Sequence, residues 1–140
     1  MDNQITLLMA SKSQNEALAR TVVAAFIAHL DPSLEVLSDI KTAVSEAVTN
    51  AVIHGYKNGN GEIILAMSLE SKVLSISVSD KGIGIDDIEA AMKPLFTTTD
   101  PEMERAGMGF TVMESFMDSV KVTSAPGQGT TVEMIRELGK

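Results

Sequence analysis

A polar pair inside an otherwise apolar helical stretch is the feature that most constrains this chain. The stretch runs from residue 46 to residue 55 (EAVTNAVIHG), and it places the carboxylate of Glu46 four residues before the carboxamide of Asn50. In an α-helix these side chains lie about 40° apart around the axis and ~6 Å apart along it, so they share one face. Such oxygens suit a hard cation such as Mg²⁺, and the carboxylate also suits a proton acceptor beside a phosphate. Taken alone, the spacing favours a solvated helix face, because short motifs often match by chance.

Composition limits the classes of protein to which the chain can belong. Its 140 residues, 44% of them hydrophobic, predict one globular domain over 1–140. A net charge of −8 disfavours nonspecific binding to nucleic acid. The sequence starts without the basic-then-apolar order of a secretory signal, and no run reaches the ~20 apolar residues of a membrane span. We therefore expect a cytoplasmic protein that contacts neither membrane nor nucleic acid.

The first part of the chain has the pattern of one strand followed by two helices. Residues 4–10 form a short apolar run, which predicts a strand. Ser13 with Glu16 three residues later predicts a capping box at a helix start, and Ser33 is available as the N-cap of the next helix. We expect the first helix to bury Leu18, Val22, Ala25, Phe26 and Leu30. We expect the second helix to bury Leu37, Ile40, Val44, Ala47, Val48 and Ala51.

Two alternating strands follow, over 62–69 and 72–79, and their spacing predicts a hairpin around Ser71. Apolar residues occupy every second position of the later strand, and Asp80 continues their parity. Because alternate side chains of a strand point to the same face, we expect Asp80 to point inward. A carboxylate in that place requires a hydrogen-bond donor as partner.

The segment from Gly82 to Gly109 is rich in glycine and hydroxyl residues and has little apolar periodicity, which predicts a lid over a binding site. We expect a helix over 110–117 after it, and final strands over 120–124 and 130–135. The order β-α-α-β-β-lid-α-β-β predicts an α+β fold. Its helices are expected on one face of a mixed, mostly antiparallel sheet, in a two-layer sandwich.

Four polar or glycine-rich patterns stand in a fixed order along these elements. A helix N-terminus behind glycines favours phosphate, because its free N–H groups and the positive end of its dipole point outward. Each glycine pair alone is also ordinary turn chemistry. No Walker-type Gly-x-x-x-x-Gly-Lys-Ser/Thr run is present, which excludes a P-loop. The patterns are Glu46…Asn50, Asp80-x-Gly82-x-Gly84, Gly107-x-Gly109 and Gly129-Thr130-Thr131.

In these four patterns the chain resembles the GHKL ATPase superfamily. Residues 46–50 are similar to its N box, 80–84 to its G1 box, 107–109 to its G2 box and 129–131 to its last box. The runs SEAVTNAVIHGY, GIGI, PLFTT, GMGF and GTTV resemble more closely the anti-sigma serine kinases of sporulating bacteria within that superfamily. The likeness covers essentially the whole chain.

The resemblance implies a site for ATP and Mg²⁺ and assigns roles within it. Asp80 would accept a hydrogen bond from the adenine amino group, Asn50 would ligate Mg²⁺, and Glu46 would act as general base toward a serine hydroxyl. Arg105 would contact a terminal phosphate, with a solvated lid charge as the alternative. The further nucleotide contacts that it implies are Gly82, Gly84, Thr97, Thr98, Gly107, Met108, Gly109, Phe110 and Thr130.

The resemblance also implies partners. It describes an ATP-dependent protein serine kinase that sequesters a sigma factor, phosphorylates a serine of an anti-anti-sigma factor, and forms a homodimer. Arg20 lies with Thr21 and Ala24 off the core face of the first helix, where an isolated cation suits a partner contact. A solvated arginine is the alternative there.

Two other functions remain to be weighed. One is a nucleotide-gated sigma-binding module whose catalysis is vestigial, and the retained Glu46 argues against it because binding needs no base. The other is the isolated ATP-binding domain of a histidine kinase. The lack of a helical-hairpin domain with a phosphoacceptor histidine in these residues disfavours that second function.

Overall fold

The computed structural model describes residues 2–55, 60–82, 101–125 and 127–139. Within them the chain alternates short strands with three α-helices, close to the predicted order. The elements are β1 (Asn3–Ala10), α1 (Gln14–Ile27), a 3-10 turn (Ala28–Leu30), α2 (Leu34–Asn50), a π-helical turn (Ala51–Gly55), β2 (Glu62–Glu70), β3 (Val73–Asp80), α3 (Pro101–Phe116), β4 (Ser119–Ala125) and β5 (Gly129–Glu137).

The strands form one sheet in the order β1-β2-β3-β5-β4, and its four pairings are all antiparallel. The α+β class is confirmed, while the described strands contain no parallel pair of the mixed sheet that we expected. Ser71 and Lys72 join β2 to β3 with φ of 51° and 65°. Two positive φ values are typical of a type I′ turn, whose twist matches that of the strands it joins.

The core lies between one face of the sheet and the helices. On β2 and β3 every second side chain is buried, and the intervening ones are partly exposed, as the predicted alternation requires. The buried side chains of the strands form a single apolar cluster with those of α1, α2 and α3. Phe110 of α3 is among the largest of these, at 1% exposure. No helix in the described ranges combines the length and apolarity needed to cross a membrane.

Helix α2 follows its prediction, whereas the buried face of α1 is displaced by about one residue. Ile40, Val44, Ala47 and Val48 are fully buried, and the Ser33 hydroxyl accepts from the Val36 N–H at 3.1 Å as an N-cap. In α1 the buried residues are Ala19, Val23, Phe26 and Ile27, and Leu18 is 45% exposed. Of the predicted face, Phe26 is buried and Val22 and Leu30 pack against the core while partly exposed. The prediction was wrong at Leu18 and Ala25, and the small Ala19 is buried in place of the larger Leu18.

The capping box at the start of α1 is also wrong. The helix begins after Ser13 as expected, but the Ser13 side chain makes no capping hydrogen bond. The Glu16 carboxylate, which a capping box would use, instead accepts from the Ser45 hydroxyl of α2. Contact between the two helices has thus replaced the local hydrogen bond that the sequence spacing favours.

Helix α3 begins nine residues earlier than predicted, at Pro101 instead of Phe110. Proline is well suited to the first helical position, where its missing N–H is not needed, and residues 102–106 are mostly good helix formers. Gly107 and Gly109 therefore lie inside the helix, and the prediction that they precede its N-terminus was wrong. Of the expected lid, residues 83–100 lie outside the described part of the chain.

Candidate functional site

The face of α2 that carries Glu46 and Asn50 is covered by α3 and is not a solvated surface. Asn50 is only 9% exposed and Glu46 is partly buried. Gly109 of α3 is the residue that makes the close approach: a Cβ placed on it would stand 2.9 Å from Asn50 Nδ2 and 3.1 Å from Glu46 Oε2. The structure thus brings together two residues of the first pattern and one of the third, about sixty positions apart in sequence.

The chemistry of this pair fits a hydrated divalent cation. Asn50 Nδ2 is buried and has no hydrogen-bond partner among the described residues, which is uncommon for a buried amide. The missing side chain of Gly109 leaves the carboxamide and the carboxylate uncrowded. Amide and carboxylate oxygens are ligands that Mg²⁺ accepts, usually with waters and phosphate oxygens completing its shell. The described residues contain no group of three or more His, Cys, Asp or Glu side chains arranged to hold a metal ion.

A local departure from α-helical geometry follows Asn50 directly. Residues 51–55 form a π-helical turn that contacts α3 and the strands β3 and β5. Single π-turns inside or at the end of α-helices occur frequently at functional sites. This turn therefore connects the helix that carries Glu46 and Asn50 to the strands β3 and β5.

Asp80 lies at the end of β3 and points inward as predicted. It is the last residue of β3, points inward with the buried residues of the strand, and is 9% exposed. Its Oδ1 accepts a hydrogen bond from the backbone N–H of Gly82 at 2.9 Å. This turn holds the carboxylate at the end of the strand, at the helix-covered face of the sheet.

Gly129 and Thr130 lie beside Asp80 on β5. Thr130 is the registered partner of Asp80 and is 8% exposed. Gly129 has φ of +81°, and a Cβ placed on it would stand 2.2 Å from the Asp80 carbonyl oxygen. Only glycine fits this position, because both the backbone conformation and the neighbouring strand exclude a side chain. The last of the four patterns therefore serves to bring β5 against the end of β3.

The remaining predicted site residues divide into three groups. Phe110 is a core side chain at 1% exposure, and its nucleotide contact stays a prediction. Gly84, Thr97 and Thr98 lie outside the described residues. The backbone of Arg105, Gly107 and Met108 belongs to α3, and the side chains of Arg105 and Met108 lie outside the described part.

Arg20 is not the isolated cation that we expected. Its Nε lies 2.7 Å from Glu16 Oε1, an ion pair one helical turn apart, and its side chain is 42% exposed. The pair borders a shallow cavity of about 320 Å³ between α1 and α2. Leu34, at 86% exposure, lies on the same rim. The cavity is lined by Arg20, Leu34, Leu37, Ser38, Lys41, Thr42 and Ser45.

Two residues of these regions escaped the sequence interpretation. Ser124 of β4 is the registered partner of Thr130 and is hydrogen-bonded to it at 2.8 Å. Arg136 of β5 donates to the Phe116 carbonyl at the C-terminus of α3, and lies 3.5 Å from Asp39 of α2. The turn residues at 126–128 imply a β4–β5 hairpin, and counting back from it would have paired Ser124 with Thr130. No sequence signal points to Arg136.

Comparison with known proteins shows the family to which this chain is similar. The histidine kinase-like ATPase domain matches residues 9–136. The chain is 50% identical over 141 aligned residues to an anti-sigma F factor of Bacillus licheniformis, covering 100% of this chain and 96% of that protein. It is 58% identical over 137 residues to the anti-sigma F factor of Thermoanaerobacter sp. strain X514, with 98% and 95% covered. It is 51% identical over 141 residues to the anti-sigma F factor of Bacillus subtilis strain 168, covering 100% of this chain and 96% of that protein.

Solved structures show the same fold at low sequence identity. The crystal structure of the RsbU and RsbW domains of a Mycobacterium tuberculosis protein matches with a TM-score of 0.70 at 20% identity, covering 97% of this chain. The blue-light activated histidine kinase EL346 of Erythrobacter litoralis matches with a TM-score of 0.59 at 24% identity, covering 77%. This chain spans 32% of the length of each of those chains.

Proposed function

The chain belongs to the histidine kinase-like ATPase domain family and to the anti-sigma F factors within it, and from this premise we propose that it is a protein serine kinase. In this proposal it binds ATP with Mg²⁺, sequesters a sigma factor, and phosphorylates a serine of an anti-anti-sigma factor. It does so as a single domain over residues 1–140. The approach of Gly109 to Glu46 and Asn50 is the observation that carries the proposal.

The close approach of Gly109 to Glu46 and Asn50 favours phosphoryl transfer, because it brings together protein groups that such a reaction needs. Transfer of a phosphoryl group depends on positioning and charge neutralisation, with one group to orient or deprotonate the attacking hydroxyl. Asn50 would hold Mg²⁺ through its carboxamide oxygen, and bound Mg²⁺ supplies charge neutralisation at the phosphates. Arg105 and the backbone around residues 107–109 are proposed to line the phosphate side of the site. Thr97 and Thr98 are proposed contacts from the preceding segment.

Glu46 is the proposed general base. Its carboxylate would accept the proton of the substrate serine while the serine oxygen bonds to the terminal phosphorus and the bond to the ADP oxygen breaks. The partial burial of Glu46 beneath α3 supports this role, because exclusion of water keeps the phosphoryl group from hydrolysis. A binding module with vestigial catalysis has no use for a carboxylate held in this place.

Asp80 is the proposed adenine ligand. An inward carboxylate at the end of β3, only 9% exposed, requires a donor from a ligand or from the protein. The Gly82 N–H satisfies Oδ1, and the amino group of adenine would supply a second donor. Gly84 is proposed to follow the same turn.

The α1–α2 cavity is the proposed surface for the sigma factor and for the anti-anti-sigma factor. The protein carries a net charge of −8, yet Arg20 and Lys41 both line this cavity beside the exposed Leu34. Positive charge next to an exposed apolar side chain suits an acidic partner with an apolar anchor. The names of the relatives support a sigma factor as one partner.

A homodimer is proposed through the open face of the sheet. Its outward side chains are mostly small and uncharged in the central strands, including Ala66, Ser68, Ser75 and Ser77. Ile135, 40% exposed, lies on the same face. Sedimentation at micromolar concentration tests this: Ile135→Asp should yield a monomer, and an unchanged mass would argue against this face.

The function itself is tested by incubating the protein with γ-labelled ATP, Mg²⁺ and a candidate anti-anti-sigma factor. Label on a serine of that partner, lost with Glu46→Gln, is the expected result. Tight ATP binding without transfer would favour the vestigial module. Label on a histidine of any added protein would favour a histidine kinase domain. Co-purification of the sigma factor with the ATP-bound protein tests sequestration separately.

A further inference from the structure

Helices α2 and α3 are joined by a polar contact some distance from the place where Gly109 approaches α2. Arg136 of β5 donates a hydrogen bond to the carbonyl of Phe116, the last residue of α3. The same guanidinium nitrogen, Nη1, lies 3.5 Å from Oδ2 of Asp39 on α2, and the side chains of Arg136 and Asp39 are only 20% and 23% exposed. One side chain of the sheet therefore holds the end of α3 against α2.

This polar contact and the Gly109 contact are equally far apart on the two helices. Asp39 precedes Glu46 by seven residues, and Gly109 precedes Phe116 by seven residues. Seven residues make almost two helical turns, ~10 Å along the axis, so the two residues of each pair lie on one face of their helix. Because the earlier residue of α3 contacts the later residue of α2, the helices run antiparallel. The two contacts are thus the two ends of a single interface between α2 and α3.

The apolar side chains of α3 do not by themselves fix its position along α2. Its buried side chains in this part are Phe110 and Met113, with Met117 just beyond its end, and methionine adapts readily to gaps of different shape. A hydrogen bond from a charged donor has a preferred length and direction. The Phe116 carbonyl is among the last four of the helix, which have no partner within it, and a cation there is also favoured by the helix dipole.

We infer that Arg136 is a positioning residue, which fixes α3 along α2 and thereby places the backbone of Gly109 against Glu46 and Asn50. Its effect on the reaction rests on the proposed function, in which Glu46 is the base. Arg136 acts on the site only through α3, since the carbonyl that it holds is about two turns from Gly109. A displacement of reacting groups by about 1 Å can cost ~10²-fold in rate, so even a smaller shift of α3 should be measurable.

The test replaces Arg136 by methionine, which keeps an unbranched side chain and removes the donors and the charge. Single-turnover transfer is measured at saturating ATP and partner, well below the thermal midpoint of each protein. Arg136→Met should transfer about tenfold more slowly, a part of the loss expected for a full 1 Å displacement. A residue with a purely structural role would lower the thermal midpoint and leave the saturated rate of the folded protein unchanged.

Asp118 offers a matched control at the same junction. Its Oδ2 accepts from the Glu137 N–H at 2.7 Å, and its own N–H donates to the Ile135 carbonyl at 2.8 Å. These bonds join the end of α3 to β5 but not to α2. Asp118→Ala should therefore lower the thermal midpoint and keep the saturated rate of the parent.

Two further variants test whether Arg136 acts through the interface. Gly109→Ala disturbs the same interface from its other end, so its combination with Arg136→Met should slow transfer by less than the product of the two single losses. Asp39→Asn removes the charge on α2 and leaves the bond to the Phe116 carbonyl in place. It should fold normally, because the side chain is partly exposed, and it should slow transfer less than Arg136→Met does.

The side-chain amide resonances of Asn50, identified by their absence in Asn50→Asp, report the Gly109 contact without any kinase activity. They should shift in Arg136→Met and stay in place in Asp118→Ala. Unmoved resonances or a parent rate in Arg136→Met would overturn the inference, as would an equal loss of rate in Asp118→Ala or losses that multiply with Gly109→Ala. If the parent itself transfers no phosphoryl group, the proposed function fails, and the Asn50 resonances still decide whether Arg136 sets the contact.

Discussion

Gly109 of α3 lies so close to Asn50 of α2 that a Cβ atom at position 109 would stand 2.9 Å from Asn50 Nδ2. This contact explains why a glycine stands within a helix, where it costs about 1 kcal/mol relative to alanine. The glycine lowers the helix propensity of α3, but it lets the α3 backbone lie against Glu46 and Asn50 of α2.

Gly109→Ala should therefore separate stability from activity. Alanine favours the helix, while its methyl group would displace the Asn50 and Glu46 side chains, whose ends can move. We expect a thermal midpoint within a few degrees of the parent and phosphoryl transfer reduced at least tenfold, measured with labelled ATP and the partner. Gly139→Ala is the control, because its Cβ would meet only the Lys72 side chain at 3.3 Å. Full activity of Gly109→Ala would mean that the close approach is not needed.

Glu46→Gln should retain ATP binding and lose transfer by ~10²-fold or more, because the amide preserves shape but cannot take up the serine proton. Single-turnover transfer and calorimetry are the two measurements. Glu35→Gln, on an exposed position in the first turn of the same helix, should leave both unchanged. Transfer near the parent rate in Glu46→Gln would remove the residue from the role of base.

Asp80→Asn should weaken ATP binding by ~1–3 kcal/mol, since an amide can turn its own donors toward the adenine amino group. ADP should weaken by the same factor, because the change concerns the base and not the phosphates. Inosine triphosphate serves as the ligand control and should weaken less, as an amide donor can meet its carbonyl oxygen. Equal ATP affinity in mutant and parent would contradict the adenine assignment.

How far the sequence predicts this molecule depends on whether a feature is set locally or by contacts between elements. The inward direction of Asp80 follows from strand parity, and the N-cap at Ser33 from a three-residue pattern, and both are confirmed. The burial of Ala19 in place of Leu18 could not be predicted, because it depends on how closely α1 packs against α2. The bond of Glu16 to Ser45, in place of the predicted capping box with Ser13, depends on the same packing of α1 against α2.

Within the candidate site, the same division holds. The Glu46–Asn50 spacing is a property of one helix, and the sequence displays it directly. The covering of that pair by α3 is not a property of one helix. It requires α3 to extend back through Gly109 to Pro101 and to pack on α2. The Ser124–Thr130 bond likewise depends on the register of two strands, which only the β4–β5 turn could have suggested.

Substitutions at two glycines of the β4–β5 connection should distinguish the effect of backbone strain from that of close packing. Gly127 and Gly129 have similar φ, +74° and +81°, but a Cβ on Gly127 meets nothing within 4 Å, whereas one on Gly129 would overlap the Asp80 carbonyl. Gly127→Ala should cost ~1–2 kcal/mol of unfolding free energy, the strain of a left-handed residue. Gly129→Ala should cost clearly more and weaken ATP binding. Chemical denaturation measures both, and equal losses would mean that the approach of β5 to β3 has no energetic weight.

The last prediction concerns the cavity between α1 and α2, where Arg20 is held by Glu16 and Glu16 in turn by Ser45. This chain of contacts fixes the guanidinium on the rim, which lowers the entropy cost of using it in an interface. The ion pair itself is worth little, since the arginine is 42% exposed and such pairs contribute ~0.5 kcal/mol.

Arg20→Glu should accordingly leave folding and ATP binding unchanged while reducing capture of both the sigma factor and the anti-anti-sigma factor at least tenfold. The new carboxylate would repel Glu16 and any acidic partner surface, and a well-placed interface arginine is often worth 2 kcal/mol or more, about the size of that loss. Lys72→Glu makes the same change of charge at the exposed β2–β3 turn and should capture both partners normally. Pull-down with ATP present measures this, and undiminished capture by Arg20→Glu would return the residue to the solvated surface.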